Sequence, residues 1–110
     1  MADETKITWT GKSGKKYAYW LANIGDTFNA VPGNYIFVKE TQPGSWKAIY
    51  IGETKDLDDR LSNPDSHEKM PCAKREGATH ICNHSNDRGQ KDRRDEESDL
   101  IASENPPCND

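Results

Sequence analysis

The sequence contains few hydrophobic residues and no long hydrophobic run. Only 32% of its 110 residues are hydrophobic, so we expect one small domain in which each helix or strand buries a single face. No apolar segment approaches the ~20 residues that a membrane-spanning helix requires. The first residues, Met1-Ala2-Asp3-Glu4, lack the basic and apolar regions of a signal peptide. We therefore expect a soluble, cytoplasmic protein.

Cysteine is scarce, and there is no excess of basic charge. Cys72, Cys82 and Cys108 are odd in number and have no paired spacing, which predicts reduced thiols and not a disulfide framework. The net charge of −4 argues against a protein that coats nucleic acid through charge alone. It does not exclude a nuclease, because metal-binding carboxylates make an active site acidic while local cations contact the substrate.

The stretch from Gly33 to Arg60 carries the clearest structural pattern. Two runs rich in β-branched and aromatic residues, at about 34–39 and 46–52, flank a Pro-Gly turn, which predicts a β-hairpin. Asp56 is a suitable N-cap for a short helix over about 56–62.

The remaining segments predict further strands and helices. Alternation at 6–10 and 16–21 indicates an N-terminal hairpin, alternation at 78–83 indicates a strand, and 90–103 reads as a charged helix. We expect the aromatic residues of the N-terminal hairpin to pack in the core, with base stacking as the alternative. Those residues are Trp9, Tyr17, Tyr19 and Trp20.

The last helix places a carboxylate beside its few apolar residues. Glu97 lies three and four positions before Leu100 and Ile101, so it shares their face of the helix. A carboxylate on an apolar face needs a partner or a metal ion, because burying an unpaired charge is costly.

Three polar side chains in the central stretch suit a phosphate group. Tyr35 and Tyr50 lie on the two strands of the predicted hairpin, and Arg60 lies in the helix that follows. Arginine stays charged and can hold a phosphate through two hydrogen bonds.

The order and spacing of these residues resemble the GIY-YIG nuclease superfamily. Gly33-Asn34-Tyr35 is followed by Tyr50-Ile51-Gly52, and Arg60 lies ten positions after Tyr50. Glu97 is followed by an apolar pair, a proline and, twelve positions on, Asn109. Members of this superfamily are metal-dependent phosphodiesterases that cut DNA.

The resemblance implies a fold and a domain organisation. It implies an α+β fold with a small three-stranded antiparallel sheet flanked by helices over residues 33–110. Residues 1–32 fall outside the resemblance and are expected to form an extra N-terminal β-hairpin and a connector within one structural unit.

The resemblance also implies roles for individual residues. Glu97 would bind Mg²⁺ or Mn²⁺, Arg60 would hold the scissile phosphate, and Asn109 would support the site from its edge. Tyr35 or Tyr50 would take the proton from the attacking water or orient it.

Two further positions follow from comparison with subgroups of the superfamily. His67 matches a histidine that some homing-type members place after the arginine helix, and the alternative for it is a surface residue in a polar loop. Glu53 stands where repair-type members carry a lysine, which removes one group that would lower the pKa of a tyrosine.

Other functions remain open at the level of sequence. The competing class is a binding or interaction module that kept the fold without catalysis. A zinc site at His80, Cys82 and His84 matches no common structural zinc spacing. The substrates and partners implied are DNA, in structured or branched form, and a targeting protein, and the sequence does not decide between DNA and RNA.

Overall fold

A computed structural model describes residues 5–109, so the N-terminal residues used in the signal-peptide argument lie outside the described part. The strands are β1 (Lys6–Thr10), β2 (Lys16–Asn23), β3 (Gly33–Gln42), β4 (Ser45–Thr54) and β5 (His80–Ser85). The helices are α1 (Leu57–Leu61), α2 (Met70–Arg75) and α3 (Gln90–Glu104), with a 3₁₀ turn at Pro64–Ser66. Within residues 5–109, no helix combines the length and apolar character that crossing a membrane demands.

All five strands form one antiparallel sheet in the order β1-β2-β5-β3-β4. The predicted α+β class is confirmed, whereas the predicted three-stranded sheet is wrong. The N-terminal hairpin joins the sheet because β2 pairs with β5, with Leu21 opposite Cys82. This pairing joins strands far apart in the chain, and the local alternation that located each strand does not specify it.

The sheet is covered on both faces. On β3, Tyr35 and Phe37 point to the face that α1 and α2 cover, and Ile36 and Val38 point to the face that α3 covers. We call these the α1/α2 face and the α3 face. Further members of the first core are Ile49, Leu57, Leu61, Met70 and Ile81, and of the second Trp9, Tyr19, Ile51, Cys82 and Leu100.

Helix α1 begins where the sequence indicated. The Asp56 carboxylate accepts the backbone N–H of Asp59 at 3.0 Å, which satisfies one of the unpaired amides at the start of the helix. Leu57 and Leu61 are buried and fix the helix to the sheet. The short helix therefore holds its intervening residues, including Arg60, at a defined position beside β3.

A β-bulge in β4 brings Tyr50 to the α1/α2 face. Tyr50 pairs with Phe37 and Ala48 pairs with Val38, so Ile49 is an extra residue in β4. Bulges re-aim side chains in this way. As a result Tyr50 packs against the same core as Tyr35.

The C-terminal segment crosses the outer edge of β4 and is tied to α2 by a disulfide. The backbone N–H of Cys108 donates to the carbonyl oxygen of Ile49 at 3.0 Å, and Cys72 and Cys108 are bonded with Cα atoms 6.0 Å apart. The prediction of reduced thiols is therefore wrong for these two residues. These two cysteines meet only because the C-terminal segment runs along β4, and the spacing of cysteines in the sequence does not predict that course of the chain. Cys82 is a buried free thiol.

The disulfide predicts a measurable loss of stability on reduction. It closes a loop with a sequence separation of 36, and the chain-entropy estimate for such a loop is about 4 kcal/mol. We expect urea unfolding to show a loss of this order when a thiol reductant is added. The Cys72→Ala/Cys108→Ala double variant should have the lower stability already and should not respond to reductant. A wild-type unfolding midpoint unchanged by reductant would contradict the pairing.

Candidate functional site

Four of the residues singled out by the sequence meet on the α1/α2 face. The Tyr35 hydroxyl lies 2.7 Å from Nε2 of His67, and Nε of Arg60 donates to the same hydroxyl at 3.2 Å. The Tyr50 ring centroid lies 6.1 Å from that of Tyr35 and 5.5 Å from that of His67. We call Tyr35, Tyr50, Arg60 and His67 the phenol–imidazole cluster.

Gly52 makes room for the Tyr35 ring. It pairs with Tyr35 across the sheet, and a Cβ atom on it would lie 2.5 Å from Cζ and 2.6 Å from the hydroxyl of Tyr35. Contacts that short are not tolerated, so any other residue here would displace the phenol. The glycine that closes the second sequence motif thus has a direct packing reason.

His67 is buried, and its hydrogen bonds define its tautomer. The side chain is fully buried, which excludes the surface-loop alternative. The backbone N–H of Lys69 donates to Nδ1 at 3.0 Å, so Nδ1 is the acceptor and Nε2 carries the hydrogen. Burial, with the nearby charge of Arg60, lowers the pKa of His67 to about 4. The ring is therefore neutral near pH 7 and donates from Nε2 to Tyr35.

These donors determine how the two phenols are used. The Tyr35 oxygen accepts hydrogen bonds from both His67 and Arg60, and the Tyr50 ring packs beside the Tyr35 ring with centroids 6.1 Å apart. Burial raises the pKa of Tyr35 well above its ordinary value. Tyr35 is 1% exposed, whereas Tyr50 is only partly buried. Tyr50 is thus the phenol that a bound molecule can reach.

Arg60 has an internal anionic partner that the sequence analysis missed. Its Nη2 forms an ion pair with the Glu68 carboxylate. The hydrogen bond from Arg60 lowers the pKa of Glu68 to about 2. A carboxylate thus occupies the guanidinium group that was predicted to hold phosphate. The signal available in the sequence was its position directly after His67.

Glu97 lies across the edge strand β4 from the cluster. It belongs to α3, which covers the opposite face, yet its charge raises the pKa of Tyr50, after burial the largest cause. Burial, followed by the charge of Glu53, raises the pKa of Glu97 itself. Arg93 donates to Glu53 at 2.9 Å, and in the described chain no hydrogen bond or ion pair engages the Glu97 carboxylate.

Asn109 binds the backbone and not the cluster. Its Oδ1 accepts from the Ile51 N–H at 2.8 Å, and its Nδ2 donates to the Ile51 carbonyl oxygen at 2.8 Å. These bonds satisfy the outer edge of β4 directly after Tyr50. The structure therefore brings four predicted residues together, places Glu97 within electrostatic reach of Tyr50, and puts Asn109 at the strand that carries Tyr50.

A second polar network lies on the α3 face and was not foreseen. Glu96 is 3% exposed, accepts from the Tyr19 hydroxyl at 2.6 Å and pairs with Nε2 of His84 at 2.6 Å. Arg93, Glu96 and Leu100 form the buried stripe of α3, a spacing of three and four that the sequence offered. The carboxylate in the middle of the helix core is therefore Glu96, while Glu97 is half-buried beside it.

The histidines considered for zinc have other partners. His84 is paired with Glu96, and the His80 ring packs edge-on against Trp46 with centroids 5.2 Å apart. Cys82 is buried in the core of the α3 face. Over the described ranges, no group of three or more His, Cys, Asp or Glu side chains is arranged to hold a metal ion.

The pKa of His67 predicts a pH-dependent stability. His67 takes up a proton near pH 6.5 in the unfolded chain but only near pH 4 in the folded protein. Its contribution to the free energy of unfolding is therefore fully present above pH 6.5 and is lost as the pH falls to about 4. The loss amounts to about 3 kcal/mol. We expect wild-type unfolding free energies to fall more than those of His67→Phe between about pH 7 and about pH 4. Equal losses in the two proteins would show that His67 is not buried and neutral.

Comparison of the chain with protein-family models, curated proteins and solved structures finds no match. These comparisons therefore give no support to the resemblance to the GIY-YIG nucleases, which rests on the order and spacing of residues alone. An arginine, two phenols and a neutral imidazole lie on one side of β4, and a half-buried carboxylate lies on the other.

Proposed function

We propose that this chain is a metal-dependent endonuclease that hydrolyses phosphodiester bonds of DNA. The observation that carries the proposal is the cluster around the Tyr35 hydroxyl, where Arg60 and His67 meet and the partly buried Tyr50 packs alongside. The ordered resemblance to the GIY-YIG nucleases supports the same reaction. Its chemistry needs charge stabilisation at the phosphoryl oxygens and an oriented water.

Arg60 is the group that binds the scissile phosphate. Its Nε is held by the Tyr35 hydroxyl, which fixes the plane of the guanidinium, while Nη2 is paired with Glu68. A phosphate group that replaces Glu68 receives charge-assisted hydrogen bonds from an arginine that is already oriented.

Tyr50 orients the attacking water, and Tyr35 supports it. The Tyr35 oxygen is engaged by His67 and Arg60, whereas the partly buried Tyr50 packs against the Tyr35 ring and presents its hydroxyl to a bound molecule. The raised pKa of each phenol keeps both protonated near neutral pH. This assigns Tyr50 to the water and Tyr35 to the positioning of Tyr50 and Arg60.

Glu97 is the residue that would hold the metal ion. Its carboxylate is half-buried and supplies oxygen ligands of the kind Mg²⁺ and Mn²⁺ take, while the nearby Glu53 is already paired with Arg93. Mg²⁺ keeps several waters and needs only one or two carboxylates together with substrate oxygens, so this donor set fits. When bound, the ion neutralises charge that develops on the phosphoryl oxygens.

The test of the proposal is DNA cleavage by a Glu97→Gln variant with Mg²⁺ or Mn²⁺. Loss of a metal ligand removes several kcal/mol of transition-state stabilisation, so we expect plasmid or branched DNA to be cut at least about 100-fold more slowly. The control is Asp95→Asn on the same helix, where the exposed carboxylate pairs only with Lys91 within the described residues. Cleavage by Glu97→Gln at the wild-type rate would refute the role of Glu97.

A second candidate is a binding or interaction module that lacks catalysis. The pairing of Arg60 with Glu68 and the burial of Tyr35 favour this alternative, because both leave the phosphate position engaged from within. DNA that shifts NMR signals of the cluster without turnover, in the presence of either metal, would establish the module and exclude the nuclease.

Replacing Glu68 should strengthen anion binding at Arg60. The pair is partly exposed, with side-chain exposures of 30% and 60%, and such pairs contribute up to about 1 kcal/mol. We expect Glu68→Gln to bind inorganic phosphate about two- to fivefold more tightly in an NMR titration. The matched control is Asp65→Asn, which removes an exposed carboxylate paired with Lys74 at 3.1 Å. An equal gain in phosphate affinity in both variants would show that the change in net charge, and not the release of Arg60, causes the tighter binding.

The cellular setting is part of the proposal. The proposal includes a targeting partner protein, as the resemblance implies, and a cytoplasmic location. The Cys72–Cys108 disulfide weighs against a reducing compartment, where such bonds are rare.

A further inference from the structure

The indole of Trp20 is left outside both cores of the protein. It is 47% exposed, and within residues 5–109 no other large hydrophobic side chain reaches that exposure. Trp9 and Tyr19 of the same hairpin are 6% and 0% exposed, so packing accounts for them. The structure thus separates one aromatic residue of the hairpin from the packing role expected for all of them.

Trp20 stands in line with the phenol–imidazole cluster. It pairs with Asn83 across β2 and β5, and Asn83 pairs with Tyr35 across β5 and β3. Residues directly opposite each other point to the same face of a sheet, so all three belong to the α1/α2 face. Neighbouring strands lie about 4.8 Å apart, which places the Trp20 and Tyr35 backbones roughly 10 Å from each other.

A cavity lies beside this row. Its volume is about 440 Å³, and its lining includes Trp20, Asn29, Leu57, Asn83 and Ser85. Aromatic, aliphatic, amide and hydroxyl groups together match a flat heterocycle with a polar edge. Leu57 also belongs to the helix that carries Arg60, one turn away.

We infer that the Trp20 cavity binds an unpaired nucleobase of the DNA strand, next to the phosphate held by Arg60. The indole offers a face on which a base stacks, an interaction that tolerates any base because each has a π-face. Asn83 donates from Nδ2 to the Trp20 carbonyl oxygen at 3.3 Å, so its Oδ1 is directed away and accepts from a base edge. This inference rests on the proposed function for the phosphate alongside.

The order of Tyr35, Asn83 and Trp20 across the sheet indicates that the ligand is a single-stranded nucleic acid. A single-stranded substrate that leaves Arg60 along the sheet meets Asn83 first and Trp20 next, so the base in the cavity flanks the scissile phosphate. A paired base in duplex DNA has its faces covered by its neighbours, and the cavity therefore selects single-stranded or unwound segments.

The experiment compares binding of a dye-labelled oligothymidylate to wild type, Trp20→Leu, Trp20→Phe and Trp46→Phe by fluorescence anisotropy in EDTA. Removing an aromatic ring on which a base stacks weakens single-strand binding, so we expect Trp20→Leu to bind about tenfold more weakly. Trp20→Phe keeps a ring and should recover most of the affinity. Trp46→Phe, near the start of β4 and packed against the core of the α3 face, should bind as wild type does.

An abasic strand of equal length separates base from phosphate contacts. It should bind wild type and Trp20→Leu with the same affinity, because it offers no base to stack. The inference is overturned if Trp20→Leu binds oligothymidylate as tightly as wild type does, or if the substitution weakens binding of the abasic strand as much as binding of oligothymidylate. It is also overturned if wild type binds neither strand. A hydrophobic protein partner at Trp20 would give the last of these results.

The outcome is independent of catalysis, because EDTA removes the metal ions. Tenfold weaker binding by Trp20→Leu, with no cleavage by wild type in Mg²⁺ or Mn²⁺, would keep the base site and overturn the nuclease. Cleavage by wild type, with unchanged binding by Trp20→Leu, would keep the nuclease and overturn the base site.

Discussion

The double hydrogen bond to the Tyr35 hydroxyl is the constraint on which the candidate site depends. A fully buried phenol oxygen accepts from a neutral imidazole and a guanidinium that come from two different segments after β4. The Lys69 N–H, which donates to Nδ1, requires His67 to be neutral, and the phenol fits only because position 52 lacks a side chain. A side chain at position 52 would displace the phenol and remove one of the two groups that orient Arg60, and protonation of His67 would break its bond from Lys69. The hydrogen bonds to Tyr35 therefore connect the Lys69 amide and the glycine at position 52 with the orientation of Arg60, the group proposed to bind phosphate.

The outer edge of β4 joins the two halves of the proposed site. Tyr50 reaches one face there through the bulge, while Glu97 approaches from the helix on the other face. Asn109 and Cys108 occupy the backbone groups of the same edge, and the disulfide anchors them to α2. The sheet would otherwise end in unpaired amides and carbonyls, which favour pairing with other chains. Edge protection and site assembly thus share the same residues.

Local pattern predicted part of this structure. The central hairpin, the Asp56 cap and the helix that presents Arg60 follow from residues within a few positions of one another. The β2–β5 pairing and the disulfide depend on chain segments that meet only after folding, so neither could be predicted. In α3, a rotation of one residue decides whether Glu96 or Glu97 is buried, and a charged helix with few apolar positions does not determine that rotation. Glu68 escaped notice because its position directly after His67, the one signal available, does not mark it as a partner of Arg60.

The proposed nuclease requires Glu97 and Tyr50 to face one divalent ion. Paramagnetic broadening of NMR signals by Mn²⁺ measures this directly, since broadening falls steeply with distance from the ion. The account predicts selective broadening of the Tyr50 ring and of the Glu97 amide, which disappears in Glu97→Gln and persists in Asp95→Asn. Broadening centred on another part of the chain, or unchanged in Glu97→Gln, would contradict it.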